Sequence, residues 1–225
     1  MTDFKTVEFF GLCGAGKTTF LEQLPRFLSP QGRELLCHQF NAPVGRSASL
    51  HSYSILLQTA VRSPVDTFRL LAFDSGGLSL FQKIGYRLAG LAGNQKSGTR
   101  VLVDSGVIQP LITYLVEDQK GEYPLPIAAL LAALPIPRLA VYFAVSPETA
   151  MNRYVKREAQ DLARPRRRNY DGEDFIERFN KGFILCETLA DSLQKHNVRL
   201  IKVDLSHDFR ECDFVSLAEE IDAII

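Results

Sequence analysis

Within GLCGAGKTTF at positions 11–20, Gly11, Gly14, Gly16, Lys17 and Thr18 fit the spacing G-x-x-x-x-G-K-[ST]. Glycines at those places let consecutive backbone N–H groups, those of Ala15 and Thr19 among them, turn toward one anion. The lysine then neutralises the outer phosphates and the Thr18 hydroxyl reaches a magnesium ion. The expected ligand is a nucleoside triphosphate. Asp104, the last residue of RVLVD, is a second candidate. A carboxylate there can hold magnesium through water or accept a proton from an attacking hydroxyl, which pairs it with Thr18 as a metal-binding residue. Followed by Ser105 and Gly106, it would equally suit a helix N-cap.

The third candidate is RYVKREAQDLARPRRR at 153–168, with seven basic and two acidic residues. Arg153 and Arg157 lie four apart on one helical face, and Pro165 breaks the helix so that Arg164, Arg166, Arg167 and Arg168 fall on a loop. A guanidinium fork binds phosphate oxygens in two places and stabilises charge spread over a transferred phosphoryl group. Arg164, Arg166 and Arg167 are therefore catalytic candidates with Lys17 and Asp104, and Arg153 and Arg157 are nucleotide-binding ones. The competing readings of this segment are a nucleic-acid patch and a solvated face.

These residues need a scaffold with a strand before the glycine loop and a helix after it. Residues 6–10 read as a buried strand, and TTFLEQLPRFL spaces Phe20, Leu21, Leu24 and Leu28 as one apolar helical face. The start of that helix would then aim its free N–H groups at the anion. Further β-rich runs fall at 34–40, 100–104, 138–145 and 198–204, separated by helical patterns. The expected fold is α/β, a five-stranded parallel sheet sandwiched by helices. Ser63 and Ser146, each followed by proline, mark two helix starts. The interval 41–99 holds two or three helices and is expected to shape an acceptor pocket.

Basic and acidic residues number 26 each, so no global field draws nucleic acid. No linker divides the chain, which is expected to form one domain over 1–225, with the acceptor insertion at 41–99 and a lid at 159–172. Cys13, Cys37, Cys186 and Cys212 are scattered, and no charged-then-apolar leader precedes the first strand. Reduced thiols and a cytoplasmic location follow as expectations. PLPIAALLAALPIP at 124–137 is too short to span a bilayer and reads as a buried helix. His38, His51, His196 and His207 show no ligand spacing.

FFGLCGAGKTT, VLVDSG, LAVYFAVSPETAMNRYVKRE, the arginine loop and DFIERFNKGFILCETLAD follow one another as in thymidylate kinases, of the nucleoside monophosphate kinase group. The chain resembles that family over most of its length. The resemblance implies Mg-ATP as phosphoryl donor, a mobile lid closing on the phosphates, and adenine resting near Leu205 to Phe209 and Arg153 or Arg157. Two departures concern the acceptor. The family's Asp-Arg pairs, which help grip the acceptor's monophosphate, stand here as Asp104–Ser105 and Asp74–Ser75. Arg46, Arg69 and Arg87 are candidate replacements, each equally a plain surface arginine.

The leading expectation is ATP- and magnesium-dependent transfer to a small-molecule acceptor, a nucleotide first. The alternatives are a kinase of another metabolite, such as a sugar, and a P-loop ATPase switch. No N-K-x-D motif stands near the fourth strand, against a GTPase. No membrane partner is expected, nucleic acid is disfavoured, and a homodimer is left open.

Overall fold

The computed structural model describes residues 6–29, 36–38, 46–73, 77–94, 101–104, 106–117, 131–132, 134, 136–160, 173–205 and 210–224. Its strands are β1 (Thr6–Gly11), β2 (Leu36–His38), β3 (Val101–Val103), β4 (Leu139–Ala144) and β5 (Arg199–Asp204). They pair in the order β2-β3-β1-β4-β5, every pairing parallel. The helices are α1 (Lys17–Gln23), α2 (Arg46–Arg62), α3 (Pro64–Phe73), α4 (Gly77–Asn94), α5 (Ile108–Glu117), α6 (Pro147–Gln160), α7 (Glu173–Lys195) and α8 (Glu211–Ile224).

β1 is buried along its whole length, because strands flank it and helices cover both faces. Its side chains alternate accordingly. Phe9 meets Phe143 of β4 at 5.9 Å between ring centroids. On that side Phe20 of α1 stacks on Phe214 of α8 at 4.3 Å and meets the Phe143 ring edge-on at 5.3 Å. Phe10 points to the other face, stacked on Tyr142 at 5.1 Å, and the Tyr142 hydroxyl donates to Glu187 of α7 at 3.0 Å. The residues of the predicted apolar face are buried, Phe20, Leu21, Leu24 and Leu28 each at most 4% exposed, but the helix expected through 28 ends at Gln23 and a 3-10 turn with Pro25 follows over Leu24–Arg26.

Three helices fill the interval expected to hold two or three. α3 begins at Pro64, directly after Ser63. At the second marked start, the Thr149 N–H donates to Ser146 Oγ at 3.2 Å, the N-cap bond that a serine before proline suggests. Of the described residues in the proline-bracketed apolar run, Leu131 and Leu134 are buried and Ile136 is partly buried against the core. Among the described residues no helix is long and apolar enough to cross a membrane.

Candidate phosphate-transfer site

Parallel strands deliver their loops to one edge, and β3 and β4 lie on opposite sides of β1, so a crevice opens at the carboxyl end of β1. The glycine loop occupies it. Gly14 and Gly16 adopt φ of +84° and +90°, the left-handed region in which successive amides turn inward as an anion nest. Gly16 is also the N-cap of α1, so the helix dipole adds its positive end at the same place.

Lys17 is the first residue of that helix. Its ammonium donates to the carbonyls of Gly11 at 3.0 Å and Leu12 at 2.9 Å, folding back over the loop. Burial lowers its pKa, and the charges of Cys13 and Asp104 oppose that shift. A cation held where it is poorly hydrated favours an anionic ligand that replaces the lost water. One residue on, Thr18 Oγ1 donates to Asp104 Oδ2 at 2.7 Å across 86 residues of sequence. A hydroxyl and a carboxylate oxygen side by side beneath a phosphate nest form a hard-oxygen donor set that suits Mg2+. The cap alternative for Asp104 is overturned, because α5 begins only at Ile108 and another carboxylate serves its first turn.

That carboxylate belongs to Glu8, which the sequence reading passed over. It is 2% exposed within the apolar strand β1 and accepts from the backbone N–H groups of Val107 at 3.0 Å, Ile108 at 2.6 Å and Gln109 at 3.3 Å. Gly106 lies so close that a Cβ there would sit 2.5 Å from the carboxylate. A lone acid inside TVEFF was the available signal, since a charge in a buried strand needs a built partner. Burial pushes the Glu8 carboxyl up to about 7, while the three backbone donors and Arg87 pull it down.

The folded carboxyl thus holds its proton between its ordinary 4.5 and about 7, where the unfolded one has lost it. Its contribution to stability therefore falls as pH rises through that window and levels off above it. Relative to Glu8→Gln, the wild-type unfolding free energy should drop by about 2 kcal/mol between pH 5.5 and 8. Urea titrations of both proteins at the two pH values check this; a constant difference would refute it.

Arg87, on α4, interacts electrostatically with both Glu8 and Asp104, and burial lowers its pKa. Of the three arginines proposed to replace the missing pair, it is the one whose side chain is described. The side chains of Arg46 and Arg69 lie outside the described residues, as do Asp74, Ser75 and Ser105.

Two cavities meet at the loop. One, of about 480 Å³, is lined by residues 13–19, Asp104, Arg153 and Arg157, together with Gln109 and Thr113. It gathers nearly every described candidate, with Gly11 at the entrance to the other cavity. Arg157 also lies 5.3 Å above the ring of Tyr154, one turn back on α6. Arg164, Arg166 and Arg167, like all of 161–172, lie outside the described residues, and so do 206–209 of the expected adenine loop.

The other cavity, about 120 Å³, is mostly apolar, between Leu12, Ile112, Val116, Tyr154, Phe175 and Phe179, with Arg178 beside them. Phe175 and Phe179 meet at 5.1 Å, and Tyr154 stands 6.1 and 6.0 Å from them. Sequence reading missed this pocket because its walls come from three helices remote in the chain. Cys13, Gln109 and Thr113 line both cavities and mark their junction.

A parallel sheet carrying strand, phosphate nest and helix in this order, with a hydroxyl and a carboxylate beneath the nest, is P-loop architecture. No family model matches the chain, and no curated protein matches it. Among solved structures it is similar to a deoxyadenosine kinase from M.mycoides with bound dATP, at 20% identity. The match covers 96% of this chain and 97% of that one, with a TM-score of 0.46.

Proposed function

We propose that this chain transfers the terminal phosphoryl group of ATP to a small molecule whose ring sits in the aromatic pocket, a nucleotide that attacks through its phosphate oxygen or a nucleoside that attacks through a hydroxyl. The junction of the two cavities carries this reading: an apolar, aromatic-walled pocket opens onto the same cleft that the phosphate loop lines. Nucleotide hydrolysis alone needs no such second pocket. A cavity near 150 Å³ holds benzene, so one of about 120 Å³ that is open on one side takes part of a flat ring and leaves the remainder in the cleft.

In this reading Lys17 and the amides of residues 14–19 hold the donor phosphates, and Arg153 and Arg157 add charge at the cleft. Thr18 and Asp104 are the residues that would hold magnesium, whose chemistry is to draw charge off the phosphate oxygens. Asp104 is also placed to receive the acceptor's proton. Arg178 supplies a cation beside the aromatic pocket. Arg164, Arg166 and Arg167 keep their proposed part as lid residues.

The test is ADP release with ATP and magnesium across nucleosides, nucleoside monophosphates, sugars and sugar phosphates. ADP formed only when a nucleoside or nucleotide is present supports the proposal. A response confined to sugars would move the acceptor class, and slow hydrolysis indifferent to every addition would leave an ATPase in its place.

A further inference from the structure

Gln109 stands where the two cavities join, and its backbone is fastened on both sides. Its N–H donates to Glu8 at 3.3 Å, and its carbonyl accepts from the Thr113 hydroxyl at 3.1 Å. The side chain is treated differently. Its Oε1 is shielded from solvent and has no hydrogen-bond partner among the described residues. With no accessible surface, Oε1 faces neither cavity as it stands, but a buried acceptor left unpaired is costly, and a turn of the amide into the junction that Gln109 lines would let a ligand's donor stabilise it. Thr113 cannot serve, because its hydroxyl proton is directed at the Gln109 carbonyl.

Resting on the two-cavity reading above, we infer that Gln109 is a specificity-determining residue whose Oε1 accepts a hydrogen bond from a hydroxyl of the acceptor. The position of Gln109 says which hydroxyl. A ring in the aromatic pocket and a reacting oxygen at the phosphate cleft must be joined by atoms passing the residues that line both, Gln109 among them. In a nucleoside or nucleotide those atoms are the sugar, so the hydroxyl read is a sugar hydroxyl that does not itself react. Glu8 acts through this residue as a positioning group. Its carboxylate fixes the turn from Gly106 to Gln109 and so holds the amide at the junction.

The experiment uses matched acceptors that differ by one sugar hydroxyl: thymidine, deoxyadenosine and thymidine monophosphate, each against its 3′-deoxy counterpart. Deoxyadenosine is also set against adenosine to score the 2′ position. For each pair the ratio of kcat/KM and the ratio of calorimetric Kd are measured in wild type, Gln109→Leu and Gln109→Glu. Wild type should prefer the hydroxyl-bearing member by about tenfold to a hundredfold, the range for leaving a buried acceptor unpaired.

In Gln109→Leu that preference should shrink to within about threefold, and in Gln109→Glu, which retains an acceptor oxygen, it should persist even if overall affinity falls. Discrimination in binding without any ADP would keep this inference and sink the kinase reading. ADP formation with the same ratios in all three proteins would keep the kinase and overturn the role of Gln109. Equal binding of both members of every pair by wild type would overturn it as well.

Discussion

Lys17→Ala should lose at least about a hundredfold in turnover with the best acceptor, while its unfolding midpoint stays close to that of wild type. The lysine lies at the first turn of α1, and its ammonium is occupied by two loop carbonyls rather than by core packing. Removing it deletes a preorganised charge from the place where phosphate charge would be held, and a single group of that kind is worth about 10² to 10³ in rate. Stability is spared for two reasons. Alanine is a strong helix former, and the substitution removes a cation whose burial is unfavourable. Steady-state ADP release and calorimetric Mg-ATP binding, both alongside thermal unfolding, read the outcome. An unchanged turnover number would remove Lys17 from the site, and a cooperative loss of fold would show that its contacts with Gly11 and Leu12 are structural.

Gly14→Ala should act in the opposite order, on stability first and activity as a consequence. Gly14 is held at φ +84°, and a Cβ there would run into the backbone carbonyl of Ala150, with the Tyr154 backbone N at 3.1 Å. Neither obstacle is a side chain that can swing aside. The left-handed conformation adds roughly 1–2 kcal/mol, and displacing packed backbone about 1–3 more. A loss near 3 kcal/mol lowers the midpoint of a chain this size by about 6 to 12 °C. The loop is pressed against the first turns of α6, so relief of the clash must also shift Arg153 and Arg157 relative to the phosphate nest. Thermal unfolding gives the first effect and Mg-ATP affinity the second. A variant as stable as wild type, with unaltered affinity, would mean that loop and helix are not packed as described.

The sequence alone determined the parts of this protein that depend on local order. The loop GLCGAGKTT specifies a phosphate nest because its glycines permit backbone angles that other residues resist, wherever the strand and helix around it lie. The strand runs, the buried face of α1 and the Ser146 cap follow from periodicity and from hydrogen bonds three or four residues apart, and the structure shows each of them. Asp104 was legible as a candidate from its place at a strand end. Its meeting with Thr18 was not, since only the parallel pairing of β1 with β3 brings residues 86 apart to 2.7 Å.

Tertiary structure decided the rest. Glu8 reads from sequence as an oddity in an apolar strand, and it becomes the cap of α5 only because β3 and α5 return beside β1 about a hundred residues later. The aromatic pocket exists because α6 and α7 converge on α5, placing Tyr154, Phe175 and Phe179 around one space. Gln109 carries no motif at all. Its place, fastened where both cavities meet, comes from non-local packing, which leaves no periodic trace in the order of residues.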